Sequence, residues 1–361
     1  MNAIQSSWNA IGLMSGTSCD GLDIAACRFE ETSQGWKYEL IDASTIPYNT
    51  EWRTTWITLP TANAHTIAKL HNSFGNWCGE QVNSFLASRP FKPHFISSHG
   101  HTIFHNPKEG YTFQLGSGAA ISAVTGITTI CDFRTSNVAL NGQGAPLVPI
   151  GDRLLFAEFD ACLNLGGFAN ISFETKEGRI AFDISPLNIV LNYLAQTTGV
   201  SFDRNGAIAA SGTVSNELLE QLQAFNFYSL PPPKSLSREW VEKEVLPLLQ
   251  SQKMPIANIM KTFVNHAAMQ IAAVCKQYAL QKVLVTGGGA HNQLIINTMQ
   301  HIAGSRFVVP KKLLIDYKEA LIFAFLGLLR LLDRPNCLAS ATGSSFDHCS
   351  GAVYTSALII T

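Results

Sequence analysis

Residues 11–29 read Ile-Gly-Leu-Met-Ser-Gly-Thr-Ser-Cys-Asp-Gly-Leu-Asp-Ile-Ala-Ala-Cys-Arg-Phe, and they constrain the fold more than any other stretch. A short apolar run, 10–14, enters a turn built from Ser15, Gly16, Thr17, Ser18, Asp20 and Gly21. A second apolar run, 22–27, leaves it. The pattern predicts strand, tight turn, strand. Glycine lets the backbone bend sharply and approach a ligand closely. Successive backbone N–H groups in such a turn form an anion-binding concavity. The hydroxyls add donors, and an aspartate beside a phosphate site faces a Mg²⁺ ion or its waters. A plain β-hairpin with polar turn residues accounts for the same pattern, so the segment alone leaves both readings open.

The chain has 361 residues, enough for two domains at about 150 residues each. Apolar residues make up 46% and can fill two cores; charged residues make up only 14%, well below the usual one quarter. A net charge of −1 and a pI near 6.8 leave no basic face for nucleic acid. The eight cysteines include no C-x-x-C pair, which predicts buried thiols in a reducing cytoplasm. No cationic and then apolar leader opens the sequence, so no signal peptide is expected. The most apolar segment, 320–332, is shorter than a bilayer span and reads as a buried helix, not a membrane anchor.

Along the chain, 37–44 predicts a third strand, and the helical spacing of Ile67, Leu70, Phe74, Trp77, Val82 and Phe85 predicts a helix over 66–87. Residues 94–98 form a short strand leading to Ser98-His99-Gly100-His101-Thr102. After a strand at 128–132, the turn formers of 141–146 make the best domain boundary. The opening theme then returns: strand 160–165, turn Gly166-Gly167-Phe168-Ala169-Asn170, strand 171–174. Two such units a domain length apart point to two related halves. A strand over 179–184 contains Asp183; Ser185 then reads as a helix N-cap and Pro186 as the first helical residue, with the helix over 187–196. Asp183 would thus stand where a strand gives way to a helix, at the ligand-binding end of an open α/β sheet. A carboxylate capping that helix is the competing explanation. Strand 282–286, the glycine run Gly287-Gly288-Gly289 and the helix 293–302 have the geometry of a backbone laid against a nucleotide. A tight turn would look the same.

Three glycine turns after three strands suit a nucleotide held by two domains. The sequence contains no Walker motif and no G-x-G-x-x-G after a strand, and it lacks the His-Arg-Asp kinase signature. What remains is the sugar-kinase and actin-like class. The expected fold is therefore α/β, with two ribonuclease-H-like domains over 1–150 and 151–361 and a nucleotide cleft between them.

The motifs also resemble a known family, the anhydro-N-acetylmuramic acid kinases. The likeness runs through residues 12–23, 98–102, 114–116, 132–134, 142–149, 164–170, 203–207 and 286–292. Two departures stand out. The family has Thr-Gly after its Asp where this chain has Ile184-Ser185, and Lys-Ser-Thr-Gly-Arg where it has Lys234-Ser235-Leu236-Ser237-Arg238. The resemblance implies that ATP, water and a 1,6-anhydro amino sugar give the sugar 6-phosphate and ADP, in cytoplasmic cell-wall recycling. It implies Asp183 as general base. It implies ATP contacts at Gly16, Thr17, Ser18, Cys19, Asp20, Gly21, Leu22 and Asp23, at Asn164, Gly166, Gly167 and Asn170, and at Gly287, Gly288, Gly289 and Asn292. Asp20 would face Mg²⁺. His99, His101, Arg134 and Glu319 would meet the sugar, with Arg134 on its lactyl carboxylate; a solvated side chain at the start of the last helix accounts for Glu319 equally well. An H-x-H pair can also mark a metal site, but the companion carboxylates are missing. A homodimer is what the family suggests; the residues themselves are silent on it. Two other functions fit the same motifs: a plain sugar or acyl kinase, and a nucleotide-dependent binding protein without a small-molecule acceptor.

Overall fold

The computed structural model describes residues 7–16, 19–304 and 306–355. The chain forms two compact units, one of residues 1–155 with 317–361, the other of 156–316. The expected boundary at 150 thus falls a few residues early, and the C-terminal segment rejoins the first unit. The turn formers of 141–146 lie inside the first unit, where Asn141 and Gly144 take positive φ and Asn137 Oδ1 accepts from Gly144 N at 2.7 Å. They shape a loop, not a linker.

In the first unit, β1 (Ser7–Ser15), β2 (Gly21–Thr32) and β3 (Gly35–Pro47) form an antiparallel meander. β4 (Phe95–Ser98) runs parallel to β1, and β7 (Thr129–Cys131) parallel to β4. β13 (Ala352–Tyr354) closes the sheet, whose order is β13-β7-β4-β1-β2-β3. Between β4 and β7 lies a hairpin, β5 (His101–Asn106) with β6 (Tyr111–Leu115). The helix Thr50–Thr58 was not foreseen; Asn49 caps it, and it buries Trp52 and Trp56 against Phe74 of helix Ala64–Ala87. Helix Lys312–Leu331 has a non-helical Tyr317 (φ −119°, ψ 16°). Beyond Tyr317 the helix lies flat on the sheet. A methyl at Gly12 of β1 would overlap the carbonyl oxygen of Ala320, and Ser97 Oγ donates to Phe323 O at 2.5 Å.

The second unit repeats the plan. β8 (Ala161–Leu165), β9 (Phe168–Thr175) and β10 (Gly178–Pro186) form the meander, and β11 (Lys282–Thr286) and β12 (Arg306–Val308) run parallel to β8. The order is β10-β9-β8-β11-β12. In both units the first five strands of the sheet run 3-2-1-4-5 with the second reversed, which is the ribonuclease-H-like topology; β13 adds a sixth in the first unit. Helix Ile256–Gln277 buries Phe263, Ala267 and Ile271 in the core of this unit.

The region after Asp183 departs from expectation. Ser185 and Pro186 do not start a helix; they end β10, and the helix begins at Asn188 with Leu187 in the cap position. The Ser185 hydroxyl instead donates to Pro186 O at 2.9 Å. Sheet pairing extended the strand past the point where local capping preference would have stopped it. The register breaks between Asp183 and Ser185, a β-bulge of the kind that re-aims a side chain.

Candidate active site

Cross-strand register assembles the second unit's polar face. Asp183 pairs with Asn170, Asn170 with Asn164, and Asn164 with Thr286. Directly paired residues share one face at roughly 4.5–5.5 Å between Cβ atoms. A carboxylate, two amides and a hydroxyl therefore form one row across four strands. Asp183 does not cap a helix: its Oδ2 accepts from Leu236 N at 2.8 Å, and its own N–H donates to Lys234 O at 3.0 Å. Burial raises its pKa, against the opposing effect of the Leu236 N–H. A half-buried carboxylate with raised proton affinity is suited to accept a proton near neutral pH.

The glycine turns lie beside this row. Leu187 N donates to Gly167 O at 2.8 Å and Ile189 N to the same oxygen at 3.2 Å, which pins the β8–β9 turn to the helix start. Gly167 faces open space. Gly287 has φ +82°, and a Cβ there would overlap Asn164 Oδ1 and come within 3.0 Å of the Leu165 backbone. Gly287→Ala is therefore expected to destabilise the second unit by at least the roughly 1–3 kcal/mol that left-handed strain costs, since the overlap adds to it. Chemical denaturation of the variant checks this; wild-type stability would mean that the loop relaxes without cost.

Asn292 also has a local structural task. Its side-chain oxygen caps helix Gln293–Ala303, accepting from Leu294 N at 3.1 Å. Residues 203–206, prominent as a motif without a role, brace the same loop. Asp203 accepts from Ile208 N at 2.8 Å and Ala209 N at 3.0 Å, and Asn205 Oδ1 from Gln293 N at 3.0 Å. An Asp just ahead of a helical run was the signal available. On the loop's other side, His291 Nε2 meets Asp316 Oδ1 at 2.6 Å.

In the first unit, Thr17 and Ser18 lie outside the described residues. Cys19, at φ +56°, closes the turn through its N–H on Gly16 O at 3.2 Å. Gly21 packs closely enough on β3 that a Cβ would meet Ile46 O at 2.5 Å. Leu22 is core, and Asp23 Oδ1 accepts from Thr45 Oγ1 at 2.5 Å. The Ser15 hydroxyl sits between Tyr48 OH at 2.5 Å and His101 Nδ1 at 2.7 Å, and the His101 ring stacks on Trp56 at 4.0 Å. Ser15, expected as a turn hydroxyl, is bonded here instead, and Tyr48 was not legible because nothing local links positions 15, 48 and 101.

His99 and His101 are buried, and each is bonded to protein partners. His99 Nδ1 donates to Gly100 O at 2.8 Å, leaving Nε2 to accept from Arg134 Nε at 3.1 Å and Nη2 at 2.9 Å. Burial, then the Arg134 charge, lowers the His99 pKa to about 3, which keeps the ring a neutral acceptor. Burial likewise lowers His101 to about 4. Arg134 Nη1 also donates to Gly144 O at 2.6 Å. Among the described residues these bonds use three of the five guanidinium N–H donors.

Glu319 follows Lys318, whose ammonium forms a buried pair with Asp152 Oδ1 at 2.6 Å. The Glu319 carboxylate is open to water, yet surrounding protein raises its pKa; Lys318 and Arg134 oppose that shift and Asp152 adds to it.

Asp20 is exposed on the first turn. Among the described residues no cluster of three or more His, Cys, Asp or Glu could hold a metal. A single exposed carboxylate such as Asp20 is the kind of ligand Mg²⁺ takes when it keeps waters and draws its other ligands from substrate phosphates.

Two units of one topology, each with a glycine hairpin between its first two strands, define the sugar-kinase and actin-like class. A family model described as anhydro-N-acetylmuramic acid kinase matches residues 8–356. Relatives of that description in Nitrosomonas europaea and in Xanthomonas oryzae pv. oryzae are each 34% identical to this chain. The first alignment covers 95% of this chain and 99% of the relative, the second 95% and 96%. The chain belongs to the anhydro-N-acetylmuramic acid kinase family and is an ATP-using kinase. Component A of the (R)-2-hydroxyglutaryl-CoA dehydratase of Acidaminococcus fermentans aligns over 88% of this chain and 96% of its own. Identity there is 12% and the TM-score 0.46, so the fold reading rests on the strand order above. No helix among the described residues is long and apolar enough to cross a membrane.

Proposed function

We propose that this enzyme opens 1,6-anhydro-N-acetylmuramic acid with water and phosphorylates O6 in the same event, giving N-acetylmuramic acid 6-phosphate and ADP. The observation that carries the reading is Asp183: a half-buried carboxylate on a bulge, in register with the Asn170–Asn164 row. Asp183 takes a proton from water as the water oxygen bonds to the anomeric carbon. The bond from that carbon to O6 breaks, and O6 takes the γ-phosphoryl group as its bond to the β-phosphate oxygen breaks. The proton leaves Asp183 to solvent. Phosphoryl transfer itself needs positioning and charge neutralisation. Gly16, Cys19 and Gly21 with the Asn164–Asn170 turn hold phosphates, Gly287–Gly289 approach the adenosine, and Asp20 holds Mg²⁺, which supplies neutralising charge when bound. Arg134, steadied by His99, takes the lactyl carboxylate, and Glu319 a sugar hydroxyl. The product feeds cytoplasmic recovery of cell-wall sugar.

Turnover in ¹⁸O-water is the direct test. The label is expected on the anomeric oxygen of the product and not in the phosphate. An unlabelled product would make this a plain sugar kinase, and ATP turnover not stimulated by the anhydro-sugar would make it a nucleotide-dependent binding protein.

A further inference from the structure

β10 is an edge strand of the five-stranded sheet, so its outer backbone groups need partners from elsewhere. At the bulge they find them in residues 234–236. Lys234 O accepts from Asp183 N at 3.0 Å, and Leu236 N donates to Asp183 Oδ2 at 2.8 Å. The same strap thus grips residue 183 by main chain and by side chain.

What holds the strap is its own lysine. Lys234 Nζ reaches back to Phe227 O at 3.1 Å and Tyr228 O at 3.4 Å, and lies 4.6 Å from the centre of the Phe227 ring. Phe227 is buried and packs against Trp240, with ring centres 5.6 Å apart. Tyr228 is set edge-on to His266 of helix Ile256–Gln277, with ring centres 4.8 Å apart, and its hydroxyl interacts with Ser185, two residues beyond Asp183. Pro231, Pro232 and Pro233 fix three φ angles in between. The ammonium therefore closes a short, stiff loop whose far end is the donor to the carboxylate.

We propose that Lys234 is a positioning residue for Asp183, acting through the backbone of the strap it anchors. This rests on Asp183 being the base. It also accounts for one departure from the family pattern. The group that meets the carboxylate is the main-chain N–H of residue 236, so leucine serves there as well as threonine.

The test compares Lys234→Met, Lys234→Arg and Asp183→Asn in the full chain, measuring kcat, KM for ATP and the pH profile of kcat/KM. Asp183 faces Asn170 on β9 and the strap main chain. The titratable strap groups, Lys234 and Tyr228, direct their heads at the 227–228 carbonyls and at Ser185. Loosening the strap withdraws a donor from the ionised carboxylate, which raises its pKa. Lys234→Met is expected to lower kcat about tenfold and move the acid limb upward by up to about one pH unit, with KM for ATP unchanged. Lys234→Arg, still a cation able to bond both carbonyls, should recover most of both. Wild-type kcat and acid limb in Lys234→Met, alongside an inactive Asp183→Asn, overturns the proposal. So does lost activity with an unmoved limb, which would mean a merely structural lysine. If Lys234→Met does not fold, Leu236→Pro, which removes the N–H itself, decides on the same two readouts. Should Asp183→Asn keep its turnover, the assignment of the base falls, and this proposal with it.

Discussion

Asp183→Asn is expected to lower kcat by roughly 10²–10⁴-fold while leaving ATP affinity near wild type. Asparagine keeps the size of the side chain and can still accept from the Leu236 N–H, so the bulge and the strap have no reason to rearrange. What is lost is the ability to take a proton from water. Binding should survive because the glycine turns proposed to hold ATP are fixed by bonds that do not involve residue 183, such as Leu187 N to Gly167 O at 2.8 Å. The wild-type pH profile carries the same signature. Burial raises the Asp183 pKa, so activity should fall, as pH drops, at a point above the ordinary aspartate value of about 3.9. Turnover assays and calorimetric ATP titration check both expectations together. Near-normal turnover in the variant would reassign the chemistry and leave the fold untouched.

Gly12→Ala is the second large effect, and it acts on the first unit's framework. A methyl there would overlap the Ala320 carbonyl oxygen and come within 3.1 Å of Ala324 Cβ. Both belong to the helix that lies on β1, so a helix backbone must move, not a flexible side-chain tip. Overpacking of this kind costs about 1–3 kcal/mol and at times more. At about 2–4 °C per kcal/mol for a unit of this size, the first-unit transition should drop by several degrees. The displaced helix also carries Glu319 and the Lys318–Asp152 pair. KM for the sugar is therefore expected to rise more than KM for ATP. A scanning calorimetry trace and a KM pair identical to wild type would mean that the helix does not press on β1.

The glycine turns were legible because a turn is written in its own residues: Gly16 and Gly21, Gly166 and Gly167, and Gly287–Gly289 each follow an apolar run that can only be a strand. The helix over 64–87 was legible from its spacing. The start of the helix after Asp183 was not. Ser185 and Pro186 have strong local preferences for a helix N-terminus, and pairing with Ala169 and Phe168 on β9 overrode them. The short hairpin β5–β6 escaped for a similar reason, since its strands are stabilised by each other and carry little apolar alternation.

Composition, spacing and turn chemistry thus determined the class of fold, the three glycine turns and the presence of a carboxylate beside a strand end, because each is a property of a few adjacent residues. Only the tertiary structure decided which partner each polar group received. It gave Asp183 to the strap at Leu236, His99 to Arg134, His101 to Ser15, and Asn292 to a helix cap. Those pairs join positions from two to 86 residues apart, and a hydrogen bond depends on distance and direction in space, which sequence proximity does not encode.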